Sequence, residues 1–282
     1  MKRFFFFSIP CCYRLNVFPK LRSCAVILAL YGFLTSLSAI EPLMHLPCES
    51  ILVENQKHFF ADQITGNRAE ILCSLKIQDQ LSDKPATATG LKGMAFRAGG
   101  NGQYGRFLEL HTEQLQNASP FTIVLWFKSL AVQHSTCLLY YKNSWSTKPG
   151  FMLRMDGSQL RLLVVPEAGK PAVCIASNRP LNPIQMNSWY FVALSWDGDC
   201  WTMHLNGEKL VASAEANEFV NVSSGTPLRI GGYNIHTNNI FQGLIDECRI
   251  FRGALSTVEV LELLAADIQQ SAPENNQPGP KP

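Results

Sequence analysis

The adjacent acids Asp246 and Glu247, the turn acid Asp62 and the aromatic residues of two polar loops are the groups whose types and spacing could do chemistry. Cleaving a sugar bond takes two carboxyl groups about 5–9 Å apart on one side of a cleft. Asp246 and Glu247 are neighbours in a strand-like run over 243–251, so the two-residue period of a strand sends them to opposite faces. Hydrolysis through an activated serine has no GxSxG turn to recommend it. The histidines, His45, His58, His111, His134, His204 and His236, show no metal-ligand spacing such as HExxH. No CxxC pair points to zinc or thiol exchange. The expectation is a chain that is not an enzyme.

Binding chemistry is better supplied. Sugar rings stack on flat aromatic faces, while amides and carboxylates take up their hydroxyls. Trp145, in the polar loop 142–148, is a candidate platform, and Tyr233, Asn234, His236, Asn238 and Asn239 form a second polar loop before Phe241. Tyr140 and Tyr141 cannot both face inward, which leaves one of them to line a groove. Trp126, Trp189, Trp196 and Trp201 lie in strand-like runs and read as core. Calcium asks for several oxygen ligands, turn carbonyls included, and Asp62, Asn67 and Asp246 are the candidate metal ligands. The alternative for Asp246 is to accept backbone hydrogen bonds and fix the local turn. Asp197 and Asp199 flank Gly198 as turn residues.

The elements that must position these groups are strands. The runs 121–127, 137–141, 150–155, 159–165, 190–196, 201–205, 228–230 and 243–251 are short and rich in β-branched and aromatic residues. Turn-forming pairs punctuate them: Asp156-Gly157, Asp197-Gly198, Asn206-Gly207 and Gly231-Gly232. In the run 201–205, Trp201, Met203 and Leu205 point one way while Thr202 and His204 point the other. This pattern predicts an all-β fold, a sandwich. One helix is expected at its end. Ser256 and Glu259 fit a capping box, and Val258, Leu261 and Leu264 predict a short helix from Thr257 to about Ala265.

The chain ends are of different composition. Lys2, Arg3, Arg14, Lys20 and Arg22 precede an apolar run over 24–34 and the small-residue stretch 36–39, the layout of a signal peptide spanning residues 1–39. An uncleaved anchor is the alternative, because 23–40 is nearly free of polar residues. All 22 acids lie beyond residue 40, so losing those five basic residues turns the net charge from +2 to −3. Scattered Lys and Arg leave no footprint for nucleic acid, and no membrane insertion is expected of the mature chain. Residues 40–268 form the expected domain, and the Pro- and Asn-rich 269–282 read as a disordered tail. Six cysteines remain beyond the leader, which permits disulfide bonds with up to 15 connectivities. Cys248 in particular also fits a small buried apolar residue. Asn117-Ala118-Ser119 and Asn221-Val222-Ser223 are sequons, which matter only in a secreting eukaryotic host.

Four segments carry a family resemblance: GLKGMAFRAGGNGQYGRFLEL over 90–110, PFTIVLWFK over 120–128, WYFVALSWDGDCWTMHLNG over 189–207, and LRIGG with FQGLIDECRIFRGALSTVE over 228–259. DQITGN over 62–67 adds a fifth, weaker one. In this order they resemble the laminin-G-like, concanavalin A-like jelly-roll domains of secreted proteins, mostly bacterial, across about residues 55–265. The resemblance implies two antiparallel sheets and a secreted or cell-surface location. Its partners would be carbohydrate or extracellular protein, and calcium is a possible cofactor near the first and last strands. The Glu-x-Asp-x-Glu strand of jelly-roll glucanases is missing. Cys248 stands where an aliphatic residue is usual, and Cys200 interrupts the hairpin loop. The expected function is a secreted non-catalytic binding module for carbohydrate, or alternatively a protein–protein adhesion or envelope and matrix module.

Overall fold

The computed structural model describes residues 41–73, 86–99, 105–112, 115, 119–142, 150–165, 173–177, 183–210, 225–234 and 239–271. The early strands are β1 (Met44–Leu46), β2 (Leu52–Glu54), β3 (Lys57–Ala61), β4 (Arg68–Cys73), β5 (Thr87–Thr89), β6 (Met94–Ala98) and β7 (Arg106–Leu110). The middle ones are β8 (Phe121–Ser129), β9 (Gln133–Lys142), β10 (Gly150–Gly157), β11 (Gln159–Val165), β12 (Val173–Ser177) and β13 (Trp189–Trp196). Last come β14 (Trp201–Leu205), β15 (Glu208–Lys209), β16 (Leu228–Ile230), β17 (Gly243–Arg252) and the helix α1 (Thr257–Ser271). Each of the eight runs expected from residue 121 onward forms a strand. The short strands β1 to β7 carry weaker alternation and were not individually legible.

The strands form two antiparallel sheets. One has eight strands, in the order β15-β14-β13-β8-β17-β6-β5, with β1 also paired to β17. The other has nine, in the order β12-β11-β10-β9-β16-β7-β4-β3-β2. Alternation decides which side chains meet between them. Phe121, Ile123, Leu125 and Phe127 of β8, and Tyr190, Val192, Leu194 and Trp196 of β13, join one core with Leu139, Tyr141, Phe151, Leu153 and Leu162 of the facing sheet. Phe151 packs 5.9 Å from Phe121 and 5.2 Å from Trp201, ring centre to ring centre. Each such side chain contributes about 1.5–3 kcal/mol on burial, which is why the alternation holds the register. Trp126, Trp196 and Trp201 are buried as expected, and Trp189 is largely so.

Two expectations need correction here. The helix starts where its capping box sets it, with Ser256 N–H donating to Glu259 Oε2 at 2.6 Å, but it continues to Ser271 rather than ending near Ala265. The extra turn is held by Asp267, whose carboxylate is buried against Trp126 and Arg249 on the outer face of the eight-stranded sheet. Residues 269–271, expected in the tail, are therefore helical, and the remainder of the tail lies outside the described residues. Of the described cysteines, Cys48, Cys137 and Cys248 are buried, Cys73 is half-buried, and Cys174 and Cys200 are exposed. The expected leader also lies outside the described residues. Among those described, no helix is long and apolar enough to cross a membrane.

Candidate functional site

The outer face of the nine-stranded sheet gathers the exposed chemistry. In β9 the strand period places Tyr141 in the core and Tyr140 on the opposite side, beside Met152 of β10 and Arg229 of β16 in the cross-strand register. Tyr140 anchors a small outer cluster with Cys137, Met152, Leu163 and Tyr233. After β16 the chain leaves the sheet at Gly231, whose φ of +86° is a left-handed conformation and where a Cβ would meet Ala98 Cβ at 2.9 Å. That turn lifts the following loop and lays Tyr233 on Tyr140, ring centres 4.7 Å apart and planes 16° from parallel. The pair forms an aromatic shelf with Tyr233 half-buried.

Charged and amide groups flank this shelf. Arg229 Nε donates to Glu109 Oε2 at 2.7 Å, and another guanidinium N–H donates to the Tyr233 carbonyl at 3.2 Å. The Asn239 side-chain amide reaches the Tyr233 hydroxyl. His111 Nε2 lies 3.7 Å from the far oxygen of Glu109. Burial, followed by the neighbouring Cys137 thiol, pushes the Tyr140 phenol up to about 12 against the pull of Arg229. It is therefore a neutral hydroxyl at physiological pH. Farther along, Arg154 donates to Ser135 and Asp156, and Arg161 to Gln159.

Of the residues expected to bind a ligand, Tyr233 lies on this shelf and Asn234 follows it, half-buried, in the same loop. Trp145, His236 and Asn238 fall outside the described residues. Arg229 and Glu109 were not singled out in the sequence. Their signal was present as a charge alternating with apolar neighbours in LRI and RFLEL, but only the register of β16 with β7 brings them together.

The candidate calcium ligands do different work. Asp62 Oδ1 accepts from the backbone N–H of His45 at 2.8 Å and of Ile64 at 3.0 Å, while Oδ2 accepts from Thr65. Asn67 closes the same turn through its carbonyl, which accepts from Asp62 N–H at 2.8 Å. Asp246 Oδ2 accepts from Leu91 N–H at 2.8 Å and Lys92 N–H at 3.3 Å, and its Oδ1 from Glu247 N–H at 2.9 Å. Both carboxylates are thus occupied by N–H donors of separate segments. Such a donor set does not fit a hard cation that wants free oxygens. Among the described residues no group of three or more His, Cys, Asp or Glu could hold a metal ion.

The expectation that Asp246 and Glu247 point to opposite faces fails. A bulge interrupts the β17 register between Asp246 and Arg249, and Glu247 adopts φ +50°. Both acids then meet the 90–92 segment, Asp246 through its backbone donors and Glu247 through Lys92 Nζ at 3.4 Å, while Glu247 also meets His45 Nε2 of β1 at 2.9 Å. Burial, reinforced by Glu247, pushes the Asp246 carboxyl up to about 7 despite its N–H donors. At Glu247 burial acts upward too, but the hydrogen bond from His45 and the charge of Lys92 hold it below its ordinary value. The two carboxyls are split as a proton donor and acceptor would be. They are nevertheless sealed, with Asp246 0% and Glu247 3% exposed.

A family model described as the Concanavalin A-like lectin/glucanases superfamily matches residues 100–261, and the chain belongs to that superfamily. No curated protein sequence matches it. Several solved structures share the fold. Domain 4 of AbnA, a GH43 extracellular arabinanase from Geobacillus stearothermophilus solved in complex with arabinotriose, is 19% identical, with a TM-score of 0.55 over 72% of this chain and 92% of that one. The botulinum neurotoxin serotype D binding domain is 15% identical with a TM-score of 0.55 over 80% of this chain. A Trypanosoma rangeli sialidase mutant displaying trans-sialidase activity is 14% identical with a TM-score of 0.57 over 83% of this chain. This chain spans 50% of the toxin domain and 34% of the sialidase. At these identities the likeness is one of fold.

Proposed function

We propose that the domain is an exported, non-catalytic carbohydrate-binding module whose ligand lies on the outer face of the nine-stranded sheet around Tyr233. The observation that carries this reading is the stacked Tyr233–Tyr140 shelf with Arg229, Glu109 and Asn239 at its rim. A flat ring supplies stacking for a sugar face, and the rim supplies donors and acceptors for hydroxyls. The arabinotriose complex of AbnA domain 4 supports the class of ligand on this fold. The buried state of Asp246 and Glu247 supports a non-catalytic role, since a glycosidic bond has no route between them.

A second reading, adhesion to an extracellular protein, is favoured by one feature. Leu130, Val132 and Met186 are 37%, 59% and 52% exposed, on two loops tied by the Asn187 N–H to Ser129 carbonyl bond. A glycan array probed with residues 40–282, in calcium and in chelator, separates the readings. Carbohydrate signal that Tyr233→Ala abolishes upholds the first. A blank array in both buffers overturns it and leaves adhesion.

A further inference from the structure

One end of the sandwich presents apolar side chains on a rigid mount. The β8–β9 hairpin turns there through Leu130, Ala131 and Val132, and the loop before β13 carries Met186. Gln133, fully buried, holds the hairpin tip from beneath. Its amide nitrogen meets Ser129 Oγ at 2.8 Å and the carbonyls of Ala131 and Gln242 at 2.9 Å, while its Oε1 accepts from Thr136 and from Gln242 N–H. Leu130 N–H donates to the Gln242 carbonyl at 3.0 Å. Asn187 N–H donates to the Ser129 carbonyl at 2.8 Å, which ties the Met186 loop to the hairpin. Leu130, Val132 and Met186 are thus held out in solvent by the fold itself.

The charge around them is of one sign. The described segments 97–99, 105–106, 128–134, 183–189 and 239–243 meet at this end, and they contain Arg97, Arg106 and Lys128 but no Asp or Glu. The registers of β13, β8, β17 and β6 set Trp189, Lys128, Leu244 and Arg97 in one cross-strand row. Lys128 Nζ sits 5.1 Å over the Trp189 ring, not against an acid, and burial lowers its ammonium from the ordinary value. Arg97 Nε is buried with no hydrogen-bond partner. The β10–β11 hairpin joins the same end, since the Ser158 carbonyl accepts from Ile184 N–H at 3.0 Å. Its acid, Asp156, is held by Arg154 at 3.0 Å, with Arg161 at 4.0 Å. This end therefore opposes the net negative charge of the chain beyond residue 40.

We propose that this end docks on an anionic lipid surface, with Leu130, Val132 and Met186 entering the headgroup boundary and Lys128 and Arg97 facing the phosphates. A lipid surface matches both halves of the observation. Separate apolar tips suit a soft apolar medium better than a shaped pocket, and a basic collar without acids is drawn to negative headgroups. Contact is through loop tips, and no membrane span is involved. The docking is independent of glycan binding at Tyr233, and adhesion to a protein through the same loops is the competing outcome.

Vesicle co-sedimentation tests this with residues 40–282, which contain every residue of the main core and exclude the apolar run 24–34. Vesicles of equal parts phosphatidylcholine and phosphatidylglycerol should pellet the protein, and vesicles of phosphatidylcholine alone should not. Binding should weaken as salt is raised. Val132→Asp, at an exposed position, should abolish binding at an unchanged melting temperature. Lys128→Gln should weaken it about fivefold. Protein left in solution by both kinds of vesicle overturns the proposal and leaves these loops to a protein partner. Equal pelleting by the two compositions overturns it as well, and so does binding that Val132→Asp leaves intact.

Discussion

The outer faces of the two sheets are built from the same alternation and end in opposite states. On the eight-stranded sheet α1 covers outer residues, and the charged groups around Asp267 satisfy one another. Asp267 takes Trp126 Nε1–H at 2.7 Å, the Arg249 guanidinium, and Lys92 Nζ at 2.8 Å. Lys92 reaches on to Gln270 and Glu247, and Glu247 to His45. On the nine-stranded sheet no helix of the described residues lies over Tyr140, Arg229 and Glu109, and these residues meet the half-exposed Tyr233 loop. A network closed on itself stabilises; a partly exposed one can exchange its partners for those of a ligand.

If that contrast is right, Asp267→Ala has the largest effect on the fold. It leaves Arg249, Lys92 and the Trp126 N–H without their shared acceptor, at a cost of about 3 kcal/mol. Chemical denaturation should show this loss while the folded fraction binds ligand normally. A loss of binding in that folded fraction would break the division between the faces. The next effect concerns pH. The Asp246 carboxyl is raised from 3.8 to about 7 in the fold, so the native state holds its proton more tightly than the unfolded chain. Its contribution is full below pH 3.8 and is lost as pH rises through about 7. The Asp246→Asn variant, fixed in the neutral state, should gain in melting temperature on the wild type as pH is raised from 5 to 8. An unchanging gap would show that Asp246 is ionised throughout. His204 opposes this trend in both proteins: burial lowers it to about 4, so its neutral form costs stability as pH falls from 6.5 toward that value. The comparison of variant with wild type cancels it.

Smaller effects belong to the other face. Tyr233→Ala should cost the fold about 1 kcal/mol, the worth of one aromatic pair, while titration calorimetry shows glycan binding lost. Arg229→Gln breaks a half-exposed ion pair, so its melting change should stay under about 1 kcal/mol. Binding should weaken about tenfold, the cost of one hydrogen-bonding group. A variant of either kind that unfolds the domain while its folded remainder binds normally would move this face into the structural class.

How much of this was readable beforehand follows from which interactions are local. Alternation and turn pairs are local, so the sandwich and the strands from Phe121 onward, apart from β12 and β15, were legible. The capping box of α1 was too. The last turn of the helix was not, because Asp267 depends on Trp126 and Arg249, which are distant in sequence. The bulge in β17 was hidden for the same reason: its acids are held by Leu91, Lys92 and His45, not by neighbours. Tyr233 was visible as an aromatic residue in a polar loop. Arg229 and Glu109 were not, since each is an ordinary outward charge until two strands 120 residues apart pair.

The pairing of β1 with β17 has a practical consequence. His45 on β1 and Gln270 near the end of α1 are joined through Glu247 and Lys92, so both described ends leave the domain at one corner of the helix-covered side. A carrier or surface attached at either end would grip the sandwich from behind, with Tyr233 turned outward in both orientations. The same nearness allows old ends to be joined by a short linker and new ones opened elsewhere, a permuted chain that keeps its shelf intact.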